Sequence, residues 1–193
     1  VSINNELSYN TLRQNIIDGV SKREFLLSKF SLILFLSGIC TLVLFGSGLV
    51  AGFMYSHVTD AKYIFDELEY LAAYFLQLVV FCLFAFSLGM IIKKAGFAIV
   101  IITLYSLVFE PIVTAILEFS PIANGFTKGL VKFFPIYSME KLVGKAYESP
   151  FAKYFFQEIK DNIIWYEWLI AIGWAAIFML FITWLLNKKD LKA

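Results

Sequence analysis

The chain has 193 residues, of which 60% are hydrophobic and 18% aromatic, and its formal net charge is +1. That apolar content lies well above the roughly 45–50% of soluble domains and, with a mean hydropathy of +0.78, places the chain in the membrane. The near-neutral total says little and implies no nucleic-acid partner, and once the spans are counted no room remains for a cytoplasmic enzyme domain.

The first stretch, Glu6 to Lys29, is the longest piece that is neither bilayer-apolar nor suited to an extracellular loop. Leu12, Ile16 and Val20 recur at four-residue spacing while Arg13, Gln14, Asn15 and Asp18 fall mainly on other faces, the pattern of an amphipathic helix. Gly19 can end that helix in a left-handed conformation, and Ser21 with Glu24 forms an S-x-x-E capping box for the next. An amphipathic helix at the inner surface, one turn before a long span, is placed to be pushed from the cytoplasm.

The spans follow in order. The first runs over about 30–53, long enough to cross a core of about 30 Å, and holds the GxxxG pair Gly48 and Gly52, which allows close backbone approach. Packing against a neighbour in the same chain is the favoured use of that pair, ahead of a dimer seam. A polar, acidic loop over 55–69 contains His57, read as a solvated loop histidine. The second span, about 70–92, stops at Lys93 and Lys94, the clearest positive-inside signal in the chain. A third span returns over about 97–117.

Within the third span stands Glu110, followed by Pro111. An ionisable group at that depth is a pathway candidate by default, whereas a helix broken by Pro111 leaves Glu110 to cap or snorkel at the outer interface. The extracellular segment over about 119–162 is punctuated as helices. Ser120-Pro121 and Ser149-Pro150 each resemble an N-cap with Pro at N1, Pro135 divides the piece, and Ile122 to Phe134 is short and apolar enough for a re-entrant or interfacial element. The last span covers about 163–186, with Trp165, Tyr166 and Trp168 at its outer end and Trp184 at its inner end, before a basic tail. Sorting charges by this topology puts nine basic and four acidic residues inside and seven basic and eleven acidic outside, which favours two cytoplasmic termini.

Catalytic signatures are missing. There is no phosphate-cradling G-x-x-x-x-G-K-[ST], since Gly144-Lys145 runs on to Ala146, and no H-E-x-x-H, Cys/His cluster or G-x-S-x-G. Cys40 and Cys82 fall inside apolar spans as small hydrophobes.

Asn10-Thr11-Leu12-Arg13, then Gly19-Val20-Ser21-Lys22-Arg23, then Lys29 at the start of a span, resemble the coupling segment of ABC-2 type transporter permeases. In that family a G-T-L-R-like piece precedes a small residue and a Ser-Arg pair; here Asn10 replaces the Gly and Lys22 separates Ser21 from Arg23. The order of spans is similar as well, with short helices dipped into the outer leaflet before the last one. The resemblance implies that two further spans precede Val1 or that the chain is a shortened relative. It also implies an all-α polytopic bundle, with a coupling-type segment over 1–29 and a transmembrane domain over 30–193. Its coupling residues would be Thr11, Leu12, Arg13, Ile16, Ser21 and Arg23. The partners implied are a cytoplasmic ATPase subunit that binds ATP and Mg, a second permease subunit, and the bilayer of a plasma or inner membrane. On this reading the chain is not itself an enzyme. The competing expectation is a non-transporting membrane scaffold or assembly factor.

Overall fold

The computed structural model of the protein describes residues 21–55, 68–92, 94–119, 125–143 and 163–188, and these are all-helical apart from short turns. Four helices are long and apolar enough to cross a bilayer, so the protein is an integral membrane protein with a transmembrane helical bundle. The elements are α1 (Lys22–Tyr55), α2 (Leu68–Ile91), α3 (Ala95–Leu104), a π-helical turn (Tyr105–Phe109), α4 (Glu110–Phe119), α5 (Gly125–Val131), α6 (Pro135–Leu142) and α7 (Trp165–Lys188). Helices α3 and α4 form one continuous third span through the π turn.

Helix α1 starts on the capping box expected for it. The Ser21 N–H donates to Glu24 Oε2 at 2.8 Å and the Glu24 N–H donates to Ser21 Oγ at 3.2 Å, so two of the orphan donors of a helix start are satisfied reciprocally. From there 34 residues run without a break. Ser21→Ala is expected to fray the first turn of α1 at a cost of about 0.5–2 kcal/mol, seen as faster amide exchange confined to that turn.

The core lies between α2, α7 and the start of α1. Phe25, Leu83, Phe86, Met90, Ile182 and Leu186 are buried in one cluster, and it gathers residues from the opening of α1 and the ends of α2 and α7. Those ends share one face of the bundle, here called the basic end, because Lys22 Nζ donates to the Leu186 carbonyl at 3.2 Å. A lysine against the last carbonyls of a helix also meets the negative end of its dipole.

Helix α1 packs on α2 through Ser37 and Thr41 rather than through the glycine pair. Ser37 and Thr41 are both buried, Ser37 lies beside Cys82, and Thr41 Oγ1 donates to the Ser37 carbonyl at 2.8 Å. Small residues four apart at a seam let helices approach closely, and this pair takes the seat expected of Gly48 and Gly52. Both glycines are exposed, with nothing within 4 Å of the position a Cβ would occupy. Upper α1 has therefore turned away from the other described helices.

Pro111 does not end the third span. Without an N–H it cannot bond the Leu107 carbonyl, and the turn before it has widened so that the Glu110 N–H reaches the Tyr105 carbonyl, five residues back. The helix then continues to Phe119.

Candidate functional site: a buried carboxylate at the start of a short helix

Between the third span and α7, helices α5 and α6 follow one another across a short turn at Lys132–Phe134, and the pair is here called the hairpin. Helix α6 packs on α2 and α7 and α5 on α4, while Lys132 and Phe133 of the turn are exposed. Trp174 Nε1 donates to the Phe133 carbonyl at 2.9 Å, and Trp174 lies fourteen residues above Lys188, about 21 Å from the basic end at 1.5 Å per residue. Glu110, fifteen residues above Ala95 or about 22 Å, meets the hairpin at the same depth from the opposite wall.

Helix α6 begins without a cap of its own. Phe134 occupies the N-cap position with an apolar side chain, and Pro135 at N1 has no N–H to satisfy. The next donors are supplied from elsewhere in the chain: Glu110 Oε1 accepts the Tyr137 N–H at 2.6 Å, with the Ile136 N–H beside it. A carboxylate at a helix N-terminus is favoured by both the free N–H groups and the dipole. Glu110 is 1% exposed, and its second oxygen, Oε2, has no hydrogen-bond partner among the described residues. The Tyr105 hydroxyl, carried by the π turn, faces the same carboxyl.

Below this tip, toward the basic end, a ladder of rings closes the bundle. Trp174 stacks on Phe178 at 5.2 Å, Phe178 meets Phe84 at 5.5 Å, Phe84 meets Tyr105 at 5.2 Å and Tyr105 stacks on Phe109 at 5.6 Å. The ladder ties α7, α2 and the π turn together. Above it, Leu142 of α6 inserts between Ala73 of α2 and Ala171 of α7, all three fully buried.

The remaining sequence-predicted residues are scattered. Thr11, Leu12, Arg13 and Ile16 lie outside the described residues, as do Gly19, His57, Lys93, Ser120-Pro121, Ser149-Pro150 and the tail from Lys189 onward. Ser21 and Arg23 stand exposed at the start of α1, Gly48 and Gly52 on the outer half of the same helix, and Glu110 is buried far from both groups. Sequence reasoning missed Trp174 and the Phe134–Tyr137 backbone. The readable signal was a helix start, Phe134-Pro135, with no polar N-cap in a segment that must enter the membrane. Among the described residues no group of three His, Cys, Asp or Glu side chains could hold a metal ion, and Cys40 and Cys82 are free thiols.

Residues 2–192 match the family model described as "Protein of unknown function (DUF2705)". The chain belongs to that family. No curated protein and no solved structure matches this DUF2705 member.

Proposed function

We propose that this DUF2705 chain is the membrane subunit of an ABC-2-like transporter, passing a substrate across a plasma or inner membrane when a separate ATPase, binding ATP and Mg, pushes on the segment before α1. The observation that carries this reading is the join between that segment and α1. The Thr11–Arg13 motif stands a few residues ahead of the capping box, and from the box α1 continues as one rod of about 50 Å at 1.5 Å per residue. A push on its start is transmitted along the helix. It also reaches α7, through the Lys22 bond to the Leu186 carbonyl.

The aromatic ladder and the aliphatic core beneath it favour passage along a seam between two permease subunits over passage through one bundle. Glu110 faces the protein interior, which supports a role in this chain over a lipid-facing carboxylate. A transport test is Glu110→Gln at normal membrane abundance, where unchanged transport would remove Glu110 from the pathway.

The basic residues Lys22, Arg23, Lys94 and Lys188 at one end of the bundle support an orientation with both termini in the cytoplasm. A cysteine at Lys94 is expected to stay unlabelled by an impermeant reagent added outside intact cells, and labelling there would overturn this orientation. The second reading, a non-transporting scaffold, is favoured by one observation, the uncovered Gly48 and Gly52 face of α1. Purification from mild detergent separates the two: an ATPase that co-purifies, and whose ATP turnover depends on this chain, supports the transporter. A stable complex of spans with no ATPase supports the scaffold.

A further inference from the structure

We propose that the α5–α6 hairpin is a separately docking plug whose seat in the bundle is held by two side-chain pins, Glu110 from the third span and Trp174 from α7, so that it can leave the bundle while the spans stay packed. The argument begins from what holds elements together inside a bilayer. Apolar side chains gain little hydrophobic free energy by leaving lipid tails for one another, so packing of Ile136, Met139 and Leu142 against the spans contributes van der Waals contact and fixes the shape of the seat, while hydrogen bonds add what lipid tails do not offer. Polar groups differ, because an unsatisfied N–H or C=O in that environment is costly.

Most of the hairpin's backbone is satisfied locally. The Phe133 N–H bonds the Leu130 carbonyl, the Phe134 N–H bonds the Val131 carbonyl, and the Ser138 N–H and Ser138 Oγ return to the Phe134 and Pro135 carbonyls. Two groups at the tip are bonded to the spans: the Tyr137 N–H goes to Glu110 and the Phe133 carbonyl to Trp174. These two bonds reach the tip from opposite walls at one depth, and each is made by a side chain. The first is the shorter, 2.6 Å against 2.9 Å, and is taken as the stronger pin.

The pins are positioning residues, and their test reads the hairpin rather than any transport. In the full-length chain in its membrane, with Cys40→Ala and Cys82→Ala as background, Ser138→Cys reports on the buried face of α6 and Ser87→Cys on the buried face of α2. Labelling of a buried thiol by a small water-soluble maleimide follows the population of the open state. Glu110→Met keeps the side-chain volume and removes the acceptor. It is expected to raise the labelling rate of the Ser138 reporter by about tenfold or more, the size expected for leaving a buried N–H without its acceptor, while the Ser87 reporter is unchanged. Trp174→Phe, which keeps the stack on Phe178 and removes the donor, should raise it by a smaller factor. Glu110→Gln, which retains an acceptor for the Tyr137 N–H, should fall between the parent and Glu110→Met. Parent-like labelling of the Ser138 reporter in both Glu110→Met and Trp174→Phe would overturn the proposal. An equal rise at Ser138 and Ser87 would overturn it too, because the whole bundle, and not the hairpin, would then have opened.

Discussion

Leu83→Ala is expected to destabilise the bundle by about 2–5 kcal/mol, whereas Leu42→Ala should change its stability by no more than about 0.5 kcal/mol. The two leucines are chemically the same and both sit mid-helix in apolar spans. Leu83 is 1% exposed, in the cluster that joins α1, α2 and α7, and truncating it leaves a cavity that its neighbours fill only partly. Leu42 is 68% exposed on α1, and the loss of its side chain is made good by lipid. Unfolding of the detergent-solubilised chain by SDS, followed by circular dichroism, measures both. A large loss for Leu42→Ala would show that the outer half of α1 is packed against another chain in solution, and would move the Gly48 and Gly52 face from lipid to an interface.

That pair of leucines also marks where the sequence stops being informative. In a soluble helix the polar face tells the apolar one apart, but in a span both the core face and the lipid face are apolar, and the stripe disappears. Four spans were legible because length and apolarity are local properties, and the Lys93-Lys94 stop and the Trp184 and Lys188 anchors stand next to each other in the chain. The Ser21–Glu24 box was legible for the same reason, since both of its partners lie within one turn. Which glycine, serine or threonine would meet α2 was not, because that choice depends on how α1 leans, and α1 leans on Ser37 and Thr41.

Glu110 shows the same limit at the site. Its depth could be counted from Lys94, and a role inside the membrane followed from the cost of a charge there. Its partner could not be found by counting, because the Tyr137 N–H is 27 residues away and belongs to an element whose depth is set by Trp174 of α7. Pro111 added to the difficulty. Its usual effect is to stop or kink a helix, and here one π turn absorbs it, which also brings the Tyr105 hydroxyl round to the Glu110 carboxyl.

Arg13→Ala is expected to uncouple the ATPase while leaving the spans folded and inserted. In the transporter reading the segment before α1 docks its exposed face in a groove of the ATPase, and Arg13 makes charge-assisted hydrogen bonds to carboxylates or carbonyls of that partner. Removing one member of a desolvated, hydrogen-bonded pair costs about 2–5 kcal/mol, enough to weaken assembly or to abolish substrate-stimulated ATP hydrolysis. The fold is spared because α1 carries its own capping box at Ser21 and its own tie to α7 through Lys22. Lysine at the same position separates this from contact with lipid headgroups. An ammonium satisfies a headgroup phosphate as a point charge, but it cannot reproduce the planar fork of a guanidinium on a carboxylate. Arg13→Lys should therefore be impaired between wild type and Arg13→Ala if the partner is protein, and equal to wild type if the partner is lipid. ATP turnover and co-purification, measured side by side for the two variants at matched membrane abundance, decide it. Wild-type coupling in both would remove the coupling role from the Thr11–Arg13 motif and return the chain to the scaffold reading, in which no ATPase is pushed and α1 is an anchor rather than a lever.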